Sequence, residues 1–359
     1  MDVEEKVRVV LRNTEEVVTV NELRKLIETG GGKGYLGFEP SGIFHIGWLI
    51  WAYKFKDLVD VGFKMKLLAA TWHAWINDKL GGDLNLIRYA ANHVAQVLNS
   101  IGLEGKYELV YAEDLVSDTR YWELVLRIAK VLSLARVRRA LTIMGRKAEE
   151  VETDFSKLIY PLMQVADILY MNLDIALGGM DQRKAHMLAR DVAEKLNLKK
   201  VVAIHTPLLP SLEGLGKMDI KGLEKDEFYA EIKMSKSKPK SAIFIIDSDE
   251  EITNKIRRAY CPPRTVENNP ILAIAKYIIF RGEEREFTIE RPEKYGGTIT
   301  VWSYNELKKL YAEGKIHPLD LKNAVAKYLI RIVSPIRSKL LSDPKSRKLI
   351  ENIKSKVSR

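Results

Sequence analysis

The chain has 359 residues, of which 46% are apolar and 30% charged, enough to bury a sizeable core in two domains or in one large domain with an appendage. No run of about 18 apolar residues occurs, the start Met1–Glu5 is acidic without a hydrophobic leader, and Cys261 is the single cysteine. These features exclude an intramolecular disulfide and a cysteine-cluster zinc site, and set the expectation of a cytoplasmic, non-membrane protein with no metal of its own. The formal charge is +10, and residues 241–359 carry 23 basic against 15 acidic side chains. A polyanionic partner on the C-terminal part and a solvated basic tail are both open on charge alone.

In chain order, residues 1–29 read as one or two amphipathic helices, with Asn21 a candidate cap and Gly30-Gly31-Gly32 a stop. A short apolar strand, Tyr35–Phe38, turns at Glu39-Pro40-Ser41-Gly42 into a helix through Trp48–Trp51, and a buried strand spans Met65–Ala70. Asp83 caps the next helix, whose apolar stripe runs from Ile87 to Ile101 before Gly102. Further strands are expected at Tyr107–Tyr111, Leu173–Leu177 and Val201–Ile204, with helices between about 112 and 172 and from Asp181. This alternation predicts an α/β fold, a parallel sheet covered by helices. Between 206 and 241 periodicity vanishes and Pro, Gly and Lys accumulate, which reads as a long mobile loop; helical patterns return from Glu250.

Two segments carry phosphate chemistry. Phe38–Gly47 sits where the first strand turns into a helix, and a helix N-terminus offers unpaired N–H groups and a positive dipole end. There Gly47 lets a flat base approach the backbone, and His45 can donate to a phosphate oxygen. In the loop, Lys233-Met234-Ser235-Lys236-Ser237 holds two lysines three apart that can close over a triphosphate and neutralise departing pyrophosphate. Each alone is weak evidence; the pair, in this order and at opposite ends of one α/β domain, is far more specific.

A third constellation lies in Ile159–Asp167. Tyr160, Gln164 and Asp167 fall at i, i+4 and i+7, so a phenol, an amide and a carboxylate share one helix face. An exposed polar face would show the same pattern. Gly178-Gly179-Met180-Asp181-Gln182 adds a carboxylate and an amide at a strand-to-helix turn, and these segments hold two of the chain's three glutamines.

His45-Ile46-Gly47 and Lys233–Ser237 resemble the HIGH and KMSKS signatures of class I aminoacyl-tRNA synthetases, with Trp48 standing where the first signature usually ends in histidine. From about Tyr35 to Arg337 the chain resembles the tyrosyl-tRNA synthetases of archaea and eukaryotes. That resemblance implies a Rossmann-like catalytic domain and an α-helical anticodon-binding domain, in the division 1–29, 30–205, 206–248 (carrying the KMSKS loop) and 249–359. It implies L-tyrosine, ATP with Mg2+ as co-substrate, tRNA(Tyr) and a homodimer as partners. Residue by residue, Tyr35 and Asp167 would hold the substrate phenol hydroxyl, Gly37 and His73 would line its pocket, and Tyr160, Gln164 and Gln182 would hold its amino and carboxylate end. Asp181 would lie near the ATP ribose, and His45, Gly47, Lys233, Ser235 and Lys236 would serve the triphosphate. Tyr295 would stack on an anticodon base, Asp320 would bond a guanine edge, and Arg183 and Lys184 would meet the acceptor end. A tryptophan enzyme and a catalytically silent tRNA-binding paralogue remain the alternatives, the first disfavoured by the Tyr35/Asp167 pair and the second by the intact Lys233–Ser237.

Overall fold

The computed structural model describes residues 1–144, 154–214, 233–235 and 239–357. They form two compact units, Met1–Ile43 with Trp51–Thr206 and Lys345–Arg359, and Phe44–Ile50 with Pro207–Pro344. The units cut the chain differently from the expected division. Residues 1–29 belong to the first unit, and so does the C-terminal helix, whose buried Ile353 packs with Leu86 and Ala90.

The first unit is built on a six-stranded sheet: β1 (Glu16–Val18), β2 (Lys33–Phe38), β3 (Lys64–Ala69), β4 (Glu108–Tyr111), β5 (Ile175–Gly179) and β6 (Val202–Thr206), in the order β1-β6-β5-β2-β3-β4. All neighbours pair in parallel except β1, which runs antiparallel along β6. The chain builds β2 to β4 outward on one side of β2 and then returns to place β5 and β6 on the other. The strand order therefore reverses between β2 and β5, and the loops after Phe38 and Gly179 open side by side at the carboxyl ends, where such sheets hold their ligands. Continuous buried runs, Leu67–Ala69 in β3, Ile175–Gly178 in β5 and Val202–Thr206 in β6, are what a parallel sheet covered on both faces requires.

The N-terminal helices are α1 (Val3–Leu11) and α2 (Val20–Glu28). The expected all-helical start is corrected by β1, three residues too short to give a periodic signal. The α2 cap is Thr19, in a capping box with Glu22, rather than Asn21. The buried Lys54 ammonium closes the C-terminus of α1, donating to the carbonyls of Val9, Val10 and Arg12 at 2.6–3.0 Å. Following in order are α3 (Leu49–Asp60), α4 (Thr71–Ile76), α5 (Leu84–Leu98, capped by Asp83 as expected), α6 (Ala112–Val116), α7 (Thr119–Val131), α8 (Leu134–Ala140), α9 (Ser156–Tyr170) and α10 (Arg183–Lys195). Residues 180–182 form a 3-10 turn, so the helix expected from Asp181 begins two residues later.

In the second unit come α11 (Asp249–Arg258), α12 (Pro270–Ile274), α13 (Tyr304–Ala312) and α14 (Pro318–Ser342); α15 (Pro344–Val357) follows, and all but its first residue cluster with the first unit. A hairpin absent from the sequence expectation, β7 (Phe287–Ile289) with β8 (Ile299–Val301), packs Phe287 against Tyr328 of α14, ring centroids 4.7 Å apart. The loop expected over 206–241 lies partly outside the described residues. Its described parts are pinned: Pro210 bridges Lys233, the Met234 N–H donates to Leu209 O at 2.7 Å, and the Leu212 N–H donates to Ser241 O at 3.0 Å. Leu209, Leu212 and Met234 are all buried. Among the described residues no helix is long and apolar enough to cross a membrane.

Candidate active site

In the first unit, β2, α4, α7 and α9 converge on a buried polar cluster. Tyr35 is presented by the central strand β2 and is 1% exposed; burial, then the nearby Asp167 charge, pushes its hydroxyl far above the ordinary tyrosine range, so it remains a neutral donor. Gly37 lies two residues on, on the same face. A Cβ there would sit 3.1 Å from Tyr35 Cε2, so glycine keeps both the ring's place and the half-open space beside it. Burial holds the Asp167 carboxyl up to about 7 even though it accepts a hydrogen bond of 2.7 Å from the Tyr121 hydroxyl. His73 Nε2 is 3.4 Å from Asp167 Oδ2 without hydrogen-bond geometry, and burial brings its imidazole down to about 4. The His73 ring meets Tyr160 edge-on at 4.8 Å.

As the spacing required, Tyr160, Gln164 and Asp167 share one face of α9. That face is turned inward, with Tyr160 5% and Asp167 2% exposed, and it is not a solvated polar stripe. The Tyr160 hydroxyl donates to Glu39 Oε1 at 2.6 Å. Glu39, at the carboxyl end of β2, also accepts from Asn77 Nδ2 at 2.9 Å and pairs with Lys79 at 3.5 Å. Gln164 donates to Gln182 Oε1 at 2.9 Å, while its own Oε1 is buried without a hydrogen-bond partner among the described residues. In the usual exchange of amide O and N, the free position is either acceptor or donor. Asp181 and Gln182 stand on the turn after β5, directly at the strand-order reversal, and both are partly exposed. Gly178 is required there, since a Cβ would meet His186 Cε1 at 2.9 Å and Gln182 Cβ at 3.0 Å.

Beneath that turn runs a chain of four polar side chains. Arg183 grips Glu16 of β1 with two hydrogen bonds of 2.8 and 3.0 Å, Glu16 Oε2 meets His205 Nδ1 at 2.9 Å, and His205 Nε2 meets His186 Nδ1 at 3.1 Å. Burial would raise Glu16, but Arg183 and His205 together hold it below the usual carboxylate range. A carboxylate at Glu16 fixes the tautomers: His205 donates from Nδ1 and accepts at Nε2 from the Nδ1–H of His186. Burial keeps both imidazoles below their ordinary range and so neutral. Arg183, expected at an acceptor stem, thus has a structural partner; Lys184, beside it in the first turn of α10, is partly exposed.

In the second unit, His45 and Lys233 share a neighbourhood. His45 pairs antiparallel with Phe244, and the Ile46 N–H donates to Ile243 O at 2.9 Å, so one N–H of this turn is already taken. Gly47 lies in a 3-10 turn, Ile46–Trp48, where a Cβ would stand 3.0 Å from His45 Nδ1 and 3.4 Å from Leu209 Cβ. Leu209 is the residue whose carbonyl holds Met234, so Gly47 and the Lys233–Ser235 backbone flank one buried leucine. Lys233 and Ser235 are partly exposed; Lys236 lies outside the described residues. Trp48 packs its ring against His45 at 5.4 Å and edge-on to Phe44 at 5.5 Å, which makes it an aromatic wall for the histidine.

Also in the second unit, Tyr295 stands 64% exposed on a 3-10 turn, with Lys294 Nζ 5.0 Å above its ring. Asp320 lies in the first turn of α14, which His317 caps. Arg291 links the two segments, donating to Gly297 O and Lys315 O at 2.5 and 2.7 Å. Among the described residues no group of three or more His, Cys, Asp or Glu could hold a metal. Tyr121 and Glu39 were not singled out from the sequence. Tyr121 repeats with the apolar face of α7 and reads as core, and Glu39 was quoted only as part of a turn.

The family described as tRNA synthetases class I (W and Y) matches residues 31–219 and 227–334. A tyrosine–tRNA ligase of Aeropyrum pernix is 58% identical over 361 residues, spanning 100% of this chain and 99% of the relative, and one of Sulfurisphaera tokodaii is 59% identical with the same coverage. The crystal structure of the tyrosyl-tRNA synthetase of Pyrococcus horikoshii complexed with L-tyrosine superposes with a TM-score of 0.89 at 46% identity, covering 98% of this chain and 100% of that one. With the family matched over most of its length and relatives near 60% identity throughout, the chain belongs to the class I tRNA synthetases of the tryptophan and tyrosine group.

Proposed function

We propose that the chain is a tyrosine–tRNA ligase that activates L-tyrosine with ATP and transfers it to the 3′-terminal adenosine of tRNA(Tyr). The observation that carries the choice of amino acid is the buried Tyr35/Asp167 pair, a hydroxyl donor and a carboxylate brought together inside the first unit. A phenol hydroxyl can accept from Tyr35 and donate to Asp167 Oδ2; a phenyl ring can do neither, and an indole N–H can donate but cannot accept. Gly37 and His73 shape the wall, and Gln164 with Gln182 take the amino and carboxylate end. Tyr160 acts one step back, its hydroxyl holding Glu39.

The tyrosine carboxylate attacks the α-phosphate of Mg-ATP in line, giving tyrosyl-adenylate and pyrophosphate; a ribose hydroxyl of the terminal adenosine then takes the tyrosyl group and AMP leaves. No covalent enzyme intermediate is needed, so the residues position substrates and stabilise charge. His45, Lys233, Ser235 and Lys236 serve the triphosphate, Gly47 makes room for the nucleotide, and Asp181 bonds the ribose. Mg2+ arrives with the nucleotide as part of the substrate. Tyr295 offers a stacking face and Asp320 an acceptor to unpaired anticodon bases. We place the enzyme in the cytoplasm, as a homodimer. ATP–pyrophosphate exchange with each of the twenty amino acids tests this reading. Signal with tyrosine alone supports it, signal with tryptophan alone moves the chain to the other branch of the family, and no signal with any amino acid indicates a silent tRNA-binding paralogue.

A further inference from the structure

Four protonatable groups lie around Asp167: Tyr35 from β2, His73 from α4, Tyr121 from α7 and Tyr160 from its own helix. Among the described residues, Tyr121 alone donates a hydrogen bond to its carboxylate. The Tyr121 ring is fully buried, held edge-on by Trp122 at 5.7 Å and by Tyr170 at 5.6 Å, and its hydroxyl reaches Asp167 Oδ1 at 2.7 Å and Met163 O at 3.1 Å. One proton serves two acceptors, and the shorter distance and the negative charge assign it to Asp167. A carboxyl group with no such anchor can rotate and can take up a proton in this dry surrounding. Either change spoils it as an acceptor for a substrate hydroxyl.

We propose that Tyr121 is a positioning residue for tyrosine specificity, holding Asp167 by Oδ1 so that Oδ2 is the oxygen presented to the substrate phenol. The inference rests on the phenol-binding reading of Asp167 given above and extends it to a residue that never touches the substrate. It also gives the two oxygens different work: Oδ1 is committed within the protein, whereas Oδ2 lies 3.4 Å from the neutral His73 edge and accepts no hydrogen bond among the described residues. The hydrogen bond favours the charged form of Asp167 against burial, which keeps the carboxylate available near neutral pH.

Tyr121→Phe keeps the ring in its aromatic contacts and removes the one donor. Pyrophosphate exchange between pH 6 and 9 should show KM for tyrosine raised about ten- to a hundredfold near neutrality, the loss of one buried bond to a charged group. KM for ATP should not change, and the acidic limb of kcat/KM for tyrosine should move to higher pH. In an Asp167→Asn background the same substitution should add nothing. The proposal is overturned if the limb and the tyrosine KM match wild type, or if tyrosine and ATP parameters fall together with the melting temperature. Asp167→Asn alone separates the two levels. If it leaves tyrosine KM unchanged, the phenol reading itself fails; if it raises that KM while Tyr121→Phe does not, only the role of Tyr121 fails.

Discussion

Asp167 Oδ2 and His73 Nε2 lie 3.4 Å apart, both buried and without hydrogen-bond geometry, and burial moves their titrations in opposite directions, away from an ion pair. Burial pushes the carboxyl up to about 7 and the imidazole down to about 4. A pair would need a pH above the first value and below the second. Between the two values both groups are neutral, and above about 7 only the carboxylate is charged. Above about 7 the carboxylate therefore has no cation at His73, and Oδ2 can accept a hydroxyl proton.

That arrangement carries a stability consequence with a definite sign. The Asp167 carboxyl is raised above its ordinary 3.8, so the stability it contributes is full below about 4 and is lost as pH rises from there to about 7. Asp167→Asn, which still accepts from Tyr121, should leave melting unchanged near pH 4. It should stabilise the protein at pH 8, by an amount on the order of 2–4 kcal/mol. Calorimetric melts of both proteins across this range check it; a gain that does not grow with pH contradicts the titration.

Gly37→Ala tests the space beside Tyr35. The added carbon would press on the ring at 3.1 Å, and its next neighbour, Leu68 Cδ2, is a tolerable 3.8 Å away. The fold should survive, KM for tyrosine should rise about tenfold, and KM for ATP should hold, which initial rates of exchange will show.

Gly47→Ala and Lys233→Ala should produce the complementary pattern. The alanine carbon crowds His45 and Leu209, and the second change removes a cation from the triphosphate site proposed above. Equilibrium binding of tyrosine in the absence of ATP should be unaltered in both, whereas exchange should fall about a hundredfold or more for Lys233→Ala. Weakened tyrosine binding in either variant would count against this division of labour.

On the RNA side, Tyr295→Ala removes an exposed ring that carries Lys294 Nζ 5.0 Å from its centroid. Loss of one stacked base costs about 1–3 kcal/mol, so KM for tRNA in aminoacylation should rise about ten- to a hundredfold while tyrosine-dependent exchange is untouched. An equal loss in both assays would mean that the change disturbs the fold.

Much of this was legible in the sequence, for identifiable reasons. The five parallel strands were readable because each is a short apolar run bounded by turns, and the α9 triad because a 3.6-residue period puts positions 160, 164 and 167 on one face. What escaped was relational. Tyr121 is separated from Asp167 by 46 residues, and its hydroxyl is invisible to a pattern that registers only an apolar stripe. Arg183 reads as an exposed cation until β1 brings Glu16 across 167 residues to meet it, and β1 itself is too short to announce a strand. Thr19 outcompeted Asn21 as a cap because only its neighbour at the third helical position is a glutamate facing back. Lys236 and Ser237 lie outside the described residues, so the second half of that signature stands on sequence alone.

The most direct test is the ratio of kcat/KM for tyrosine to that for phenylalanine in pyrophosphate exchange, measured on the wild-type chain at pH 8, where Asp167 is ionised. A site built around a hydroxyl rejects the analogue that lacks it, a rule for which tyrosine activation is itself the standard illustration. Because phenylalanine offers no partner to the Tyr35 hydroxyl or to Asp167 Oδ2, a ratio of at least about a hundred is expected, collapsing in Asp167→Asn. Comparable exchange with the two amino acids, or a ratio indifferent to that substitution, would contradict the assignment of the pocket.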